Sequence, residues 1–486
     1  MKNKYDVVIL GAGLSGFCAA VEGIDSCLSV LLLEKGKSTG GSGNYVEGVF
    51  AVDSELQRKQ NITINKNEVL KEEMDYSHYQ ANHDMWKKYI DRSSENITWL
   101  QNHGVEFDQV ASLGTGINTW HLFKSLGYNA IHSGLEPYAK SRGVVIKTST
   151  KAIDVHKKNT HEYEITYRNL GANVEEKVIT NNLVFATGGY INNDELIKET
   201  LFKTKTNIVP MNSGKSTGDG LKMAWSLGAQ KYFTGMKMKF GAQLVDSKIP
   251  PYKLWESNLG GLVISAQPCL WVNENGDRFI DENHGVDDWA SQGNAISRQE
   301  KTFVILDQKI IDYLTDVSII KDMHPFYTKP TIPNLRAEID GYVKAKAQFM
   351  NIAGSIYDLQ EKIKANNLVK TINRYNELAT KKKDLDFGKP AKYLYSLERK
   401  PFYAVEVACG AYTTGDGLKV NLENQVLDEN GMAIEGVYAI GSDGSGIMYG
   451  DTYGVEVPGS HAGYCVFSGR NAIKSLLLNK AKDASD

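Results

Sequence analysis

The clearest hydrophobic pattern in the chain lies at its start. Val7 to Leu10 is an unbroken apolar run of strand length, glycines follow at 11, 13 and 16, and a helical pattern runs from Ser15 to about Glu22. A second apolar run, Leu28 to Leu33, ends directly in Glu34. Strand, glycine turn, helix and strand in this order predict a βαβ unit with a parallel pair. Further along, Trp86, Tyr89, Ile90, Ile97 and Leu100 recur at helical spacing within 60–104, and Gly104 is a stop. A helix from Ser133 leads to a strand at 144–148, and an antiparallel pair is expected around Ala152 to Tyr167. Leu183 to Phe185 is another apolar strand that runs into Ala186-Thr187-Gly188-Gly189. Leu221, Met223, Ala224 and Leu227 predict a helix opened by Asp219 and closed by Gly228. Two polar helices are expected at 356–364 and 368–378, a strand at 437–441, and a last helix from about Pro458 to Leu478.

The first pattern carries chemistry. Gly11 allows a tight turn out of the strand, Gly13 lets the backbone approach a pyrophosphate, and Gly16 lets the helix pack on the sheet. The helix start, around Ala12 and Gly13, then offers its amides to a phosphate. Glu34, at the spacing such a unit needs, can accept hydrogen bonds from a ribose diol and would repel a 2′-phosphate, which favours FAD or NAD over NADP. Lys35 and the loop Gly40-Gly41-Ser42-Gly43 follow, able to bring backbone N–H groups to the rest of a long cofactor. Asp219 is read either as a helix N-cap or as a cofactor contact. Gly214-Lys-Ser-Thr lacks the spacing of a phosphate loop, which excludes nucleotide hydrolysis. The start of the last helix, with Pro458 and Ser460, could present its positive end to the N1–C2 carbonyl edge of a flavin.

Composition narrows this without redirecting it. A chain of 486 residues with 42% hydrophobic and 23% charged residues and 45 glycines is an ordinary α/β protein of two to three domains. A net charge of −3 points to neither nucleic acid nor a membrane surface. The five cysteines are scattered, with no CxxC and no metal-ligand or haem spacing, so they are expected to be reduced thiols in a cytoplasmic protein, and no metal site is expected. No run is long and apolar enough for a transmembrane helix, and no signal sequence is read at the N-terminus.

The fingerprint, Gly40-Gly41-Ser42, Ala186–Gly189, Ser216–Gly220, Val272–Phe279, Arg374–Leu378 and Gly436–Gly441 together resemble the FAD-binding fumarate reductase and 3-ketosteroid dehydrogenase flavoprotein superfamily, in order along nearly the whole chain. The resemblance implies an α/β fold with a Rossmann-type FAD-binding domain, 1–235 with 399–486, and an inserted α+β capping domain, 236–398. It implies non-covalent FAD, the glycine loop having no histidine for attachment, and it adds Ala152, Ala186, Thr187, Gly188, Asp443, Ser460 and Ala462 to the expected cofactor contacts.

The chain also departs from that pattern. Where fumarate reductases have His-His-Thr-Met-Gly-Gly, it has Tyr412 to Gly417, and where they have a carboxylate-holding arginine it has Gly450-Asp-Thr-Tyr453. Loss of that arginine removes several kcal/mol of dicarboxylate recognition, on the order of a charge-assisted bidentate pair, so fumarate is not expected. Tyr453, Tyr412 and Tyr449 are the candidate catalytic groups, as proton donors or oxyanion partners, and Trp289, Trp120 and Leu262 the candidate substrate walls. The expected reaction moves hydride between flavin N5 and a C=C or CH–CH bond conjugated to a carbonyl of a neutral hydrophobic substrate, a steroid or polycyclic enone. The alternatives are reduction of another unsaturated acid, urocanate- or cinnamate-like, and an electron-transfer subunit. NAD(P)H or a separate electron carrier would be the redox partner.

Overall fold

The computed structural model describes residues 3–200, 208–285, 287–323 and 327–483. They form two compact units, one of 3–200, 212–238 and 413–483, the other of 208–211 and 239–412.

The first unit is built on the βαβ start. The chain runs β1 (Lys4–Leu10), α1 (Leu14–Asp25), β2 (Val30–Leu33) and β3 (Gly48–Phe50), then α2 (Glu55–Lys59), α3 (Lys66–Tyr76) and α4 (His83–Asn102), then β4 (Phe107–Ala111) and β5 (Trp120–Phe123). In the main sheet β1 lies between β2 and the strand Val174–Phe185, parallel to both, with Val7 opposite Val30 and Leu10 opposite Phe185. Val145–Lys147 extends it beyond β2, and Ala433–Ala439 lies beyond Val174–Phe185. A strand covered on both faces must be apolar throughout, and Val7, Val8 and Ile9 are fully buried, each contributing roughly 1.5–3 kcal/mol. Thr150–Asn159 and Glu162–Asn169 form the expected antiparallel pair. α1 packs against the last helix, Ser460–Asp483.

The helical stretch 60–104 is interrupted. α3 ends at Tyr76 because His78 and Tyr79 take left-handed backbone angles (φ 50° and 58°), and α4 restarts with Asn82 accepting from the Met85 amide. β2 starts at Val30, two residues later than its apolar run, because the Ser29 amide and hydroxyl are held by the Asp6 carboxylate.

The second unit has a six-stranded sheet around Phe402–Thr414, which pairs antiparallel with Thr302–Asp307 and with Met350–Ala353 and parallel with Ile208–Pro210. Helices including Gln308–Asp316, Leu335–Ala345 and Leu368–Thr380 share its core. These pairings place the boundaries at 238/239 and 412/413, not at the expected 235/236 and 398/399. Residues 402–407 are laced into the second unit's sheet, so the return to the first unit comes later than the motifs suggest.

Candidate functional site

The glycine turn after β1 is shaped by two steric demands and one empty space. Gly11 has φ +108°, and a Cβ there would overlap the Ala186 carbonyl oxygen; a Cβ on Gly16 would overlap the Gly11 carbonyl oxygen. At Gly13 the nearest atom to an added Cβ is the Gly40 carbonyl oxygen at 3.7 Å, so the protein itself does not require glycine there. Gly41 is similarly open, with nothing within 4 Å, and Gly188 meets only the Ser216 hydroxyl at 3.3 Å. α1 begins with no side chain capping it. Its uncapped amides beside open backbone at Gly13 form a cradle for a phosphate.

Glu34 is buried and accepts from the Ala12 amide at 3.0 Å and the Gly36 amide at 2.6 Å. Each carboxylate oxygen keeps a lone pair for a ribose hydroxyl. The Thr150 amide donates to the Glu34 carbonyl, which brings Ala152, two residues on and buried, to the same edge. Lys35 is not free: its Nζ donates to Thr217 and Asp219, both at 2.6 Å, and Lys151 also pairs with Asp219. Burial would raise the Asp219 pKa, but the Lys35 and Lys151 hydrogen bonds outweigh it and pull it down to about 2. Asp219 is the first residue of the helix Asp219–Ser226, and its N-cap is Gly218, so the capping reading is set aside. Its carboxylate is a two-lysine clamp.

Asp443 is fully buried, and its carboxylate accepts from the Thr187 amide and hydroxyl (2.5 and 2.8 Å) and the Gly189 amide (2.8 Å). It ties the Ala186–Gly189 turn to the 441–444 loop, and its side chain is used in doing so. Ser42 lies 3.2 Å from the Ser213 hydroxyl, which closes the glycine loop on the 212–214 segment. Ala462 packs in the core between α1 and the last helix. His461 has Nε2 3.1 Å from the Ser442 hydroxyl, while its Nδ1 is buried without a partner among the described residues, and burial depresses its pKa to about 4.

The start of the last helix carries a wall of tyrosines. Tyr449 and Tyr453 are both buried, with ring centroids 5.3 Å apart, and the Tyr449 hydroxyl lies 3.4 Å from the Ser460 hydroxyl. Tyr89 donates to the Ser460 carbonyl at 2.9 Å, and Trp86 donates to the Met448 carbonyl at 2.7 Å, so α4 fixes this segment from behind. Trp120 is buried opposite Phe50 of β3, and its ring abuts Gly459. Burial raises the Tyr453 pKa; a hydrogen bond with Ser460 opposes this, and the fields of Glu73, Glu456 and Glu47 add to it.

Those carboxyls were not legible as site residues. Glu73 is 3% exposed on α3, its carboxyl with no hydrogen-bond or ion-pair partner among the described residues, and burial holds its pKa well above the usual range, helped by the nearby Glu456. Glu47 is half-buried between the glycine loop and β3, and burial pushes its pKa up to about 7. Glu73 lies in polar sequence and Glu47 at the end of a glycine loop, and neither place marked its carboxyl as a site group.

The remaining candidates lie in the second unit. Tyr412 stacks on Phe240 (4.4 Å, 25°), Phe240 meets Trp255 edge-on, and Trp255 meets Trp289 edge-on, so Tyr412 and Trp289 belong to one aromatic row. Leu262 is half-buried against that unit's core. Among the described residues no group of three or more His, Cys, Asp or Glu could hold a metal, and no helix is long and apolar enough to cross a membrane.

Residues 6–452 match the FAD-binding domain family. The chain belongs to that family. The open backbone at Gly13, the uncapped start of α1 and the available lone pairs of Glu34 fit FAD. Across 474 residues the chain is 40% identical to a vinyl phenol reductase of Lactiplantibacillus plantarum, covering 97% of this chain and 96% of that one. In fold it is similar to a 3-ketosteroid Δ1-dehydrogenase from Sterolibacterium denitrificans (TM-score 0.78, 17% identity, 98% of this chain and 100% of that one). It is also similar to the open conformation of a flavocytochrome c3 fumarate reductase (TM-score 0.69, 22% identity, 98% and 79%). The protein is an FAD-dependent oxidoreductase acting on C=C or CH–CH bonds, fumarate reductase-like in fold and not itself a fumarate reductase.

Proposed function

We propose that this enzyme reduces the vinyl double bond of a vinyl phenol. The observation that carries the reading is the 40% identity with a vinyl phenol reductase over nearly the full length of both chains. The wall supports it. No arginine stands between Arg399 and Arg470, and Arg470 is committed to Glu22, Glu95 and Asn96. Tyrosines and carboxyls line the segment instead. An unsaturated acid brought there would be desolvated without a cation to pair with, whereas a neutral phenol needs none. The expected neutral, hydrophobic substrate is retained in this reading, and the steroid is replaced by a smaller aromatic molecule.

The chemistry of such a substrate sets what the residues must do. A vinyl group conjugated with a phenol is electron-rich and resists hydride, so the terminal carbon must first take a proton. The positive charge then delocalises onto the phenolic oxygen, and the ring-side carbon becomes a hydride acceptor. FAD, when bound and reduced, supplies that hydride. Gly11 to Gly16 and Glu34 would hold the ADP half, and the start of the last helix would face the flavin end. Tyr453, held by its hydrogen bond with Ser460, would accept a hydrogen bond from the substrate's phenolic O–H and so steady the positive charge. The electrons would reach FAD from NAD(P)H or a separate carrier, and bleaching of the oxidised flavin by NADH or NADPH distinguishes them. Reduced enzyme mixed anaerobically with a vinyl phenol is expected to give the ethyl phenol in one equivalent per flavin. Recovery of unchanged vinyl phenol would refute the reading.

A further inference from the structure

The proposed reaction needs an acid, and the tyrosines are poor candidates for it. Burial and neighbouring carboxyls raise the Tyr453 and Tyr449 pKa values, so neither phenol gives up its proton easily. Glu47 differs in position, environment and freedom. Its backbone is pinned: its carbonyl accepts from the Phe123 amide at 2.8 Å, and a Cβ on the next residue, Gly48, would overlap the His121 carbonyl oxygen. β3, which starts there, runs antiparallel to β5 and donates from the Phe50 amide to the Gly459 carbonyl at 3.0 Å, one residue before Ser460. Glu47 therefore joins the glycine loop to the strand that supports the tyrosine wall.

Its side chain has no cation. Among the described residues its carboxyl has no ion pair and no hydrogen bond from another residue; its own amide is the donor that favours its charged form. The titratable groups on the neighbouring elements do not neutralise it. Tyr453 and Glu456, from the loop before the last helix, and Glu73, from α3, bear no positive charge. His121 of β5 and His461 of the last helix are both neutral by burial, Lys124 pairs with Glu106, and His132 lies against Glu136. A carboxyl in such a recess keeps its proton, and Glu47, which is not wholly buried, can be recharged from water.

We propose that Glu47 is the acid of the reduction, giving its carboxyl proton to the terminal vinyl carbon. This rests on the vinyl phenol reading. The C=C π pair forms the new C–H bond with that proton, leaving Glu47 a carboxylate and a cation stabilised by the phenolic oxygen, whose own O–H stays intact. The ring-side carbon would then accept the hydride that FAD, when bound and reduced, would supply, and water would return a proton to Glu47.

The test uses the FAD-loaded enzyme with Glu47→Gln and Glu47→Asp, flavin absorbance confirming that each variant folds and binds FAD. Infrared difference spectra across a pH titration should show a protonated-carboxyl band that disappears in wild type near pH 7 and is missing in Glu47→Gln. In single-turnover reoxidation by vinyl phenol, the wild-type rate should fall about tenfold per pH unit above that point. Glu47→Gln should be slower by about 10²-fold or more with a flat profile, and Glu47→Asp should recover part of the rate and the slope. Persistence in Glu47→Gln of the band that titrates near pH 7, or a Glu47→Gln rate and pH profile equal to wild type, would overturn the proposal. Wild-type enzyme that vinyl phenol does not reoxidise would overturn the substrate reading instead. The infrared titration needs no substrate and still decides whether Glu47 holds the proton.

Discussion

At the scale of single residues, burial rather than residue type sorts the site. Glu34, Asp219 and Asp443 are all acids of the cofactor domain, but their environments assign them different work. Glu34 retains accepting capacity, Asp219 is held charged by two lysines, and Asp443 is used up by a backbone turn. Among the described residues Glu47 has no such partners, and its protonation affects stability. Its folded pKa lies at about 7, above the ordinary 4.5, so the folded state prefers the proton. The stability present below the ordinary value is lost as pH rises towards the folded value. Glu47→Gln is expected to unfold at the same temperature as wild type near about pH 4 and to be the more stable protein near about pH 8, by ~3 kcal/mol at most, as thermal unfolding at each pH will show. Tyr453→Phe removes one hydroxyl and leaves the packing with Tyr449. It should retain FAD, measured by absorbance, while turnover falls by about 10²–10⁴; unchanged turnover would remove Tyr453 from the mechanism.

At the scale of elements, the glycine turn separates folding from binding. Gly16→Ala would press a methyl into the Gly11 carbonyl, so it should lower the thermal midpoint of the apoprotein by an amount typical of overpacking, roughly 1–3 kcal/mol. Gly13→Ala meets only the Gly40 carbonyl at 3.7 Å, so the apoprotein should be as stable as wild type while FAD affinity drops. Equal effects of the two changes on apoprotein stability would contradict this division. The βαβ start was legible because its apolar run, glycines and terminal acid lie within one short stretch, and local geometry dictates each. The pairing of the late strand Phe402–Thr414 was not legible because its partners lie about 50 to 200 residues away in sequence, beyond any local pattern. Glu73 sits in Lys-Glu-Glu-Met, where nothing local distinguishes it from the exposed Glu72; only the packing of α3 buries it.

At the scale of the whole molecule, FAD chemistry is held by the family's shared scaffold, and the substrate is set by what has changed on it. The arginines expected for a dicarboxylate are absent from the 400–469 stretch, and buried phenols and proton-bearing carboxyls stand on the wall beside the last helix. On the proposed reading such a wall would favour a neutral aromatic substrate and penalise an anionic one, because a carboxylate brought there would lack a cation. The most direct measurement is anaerobic stopped-flow reoxidation of the reduced enzyme by vinyl phenol, fumarate, urocanate and an enone steroid, followed at the flavin absorbance. Vinyl phenol is expected to reoxidise the flavin at least about 10²-fold faster than any of the others. Faster reoxidation by fumarate or urocanate would contradict the account.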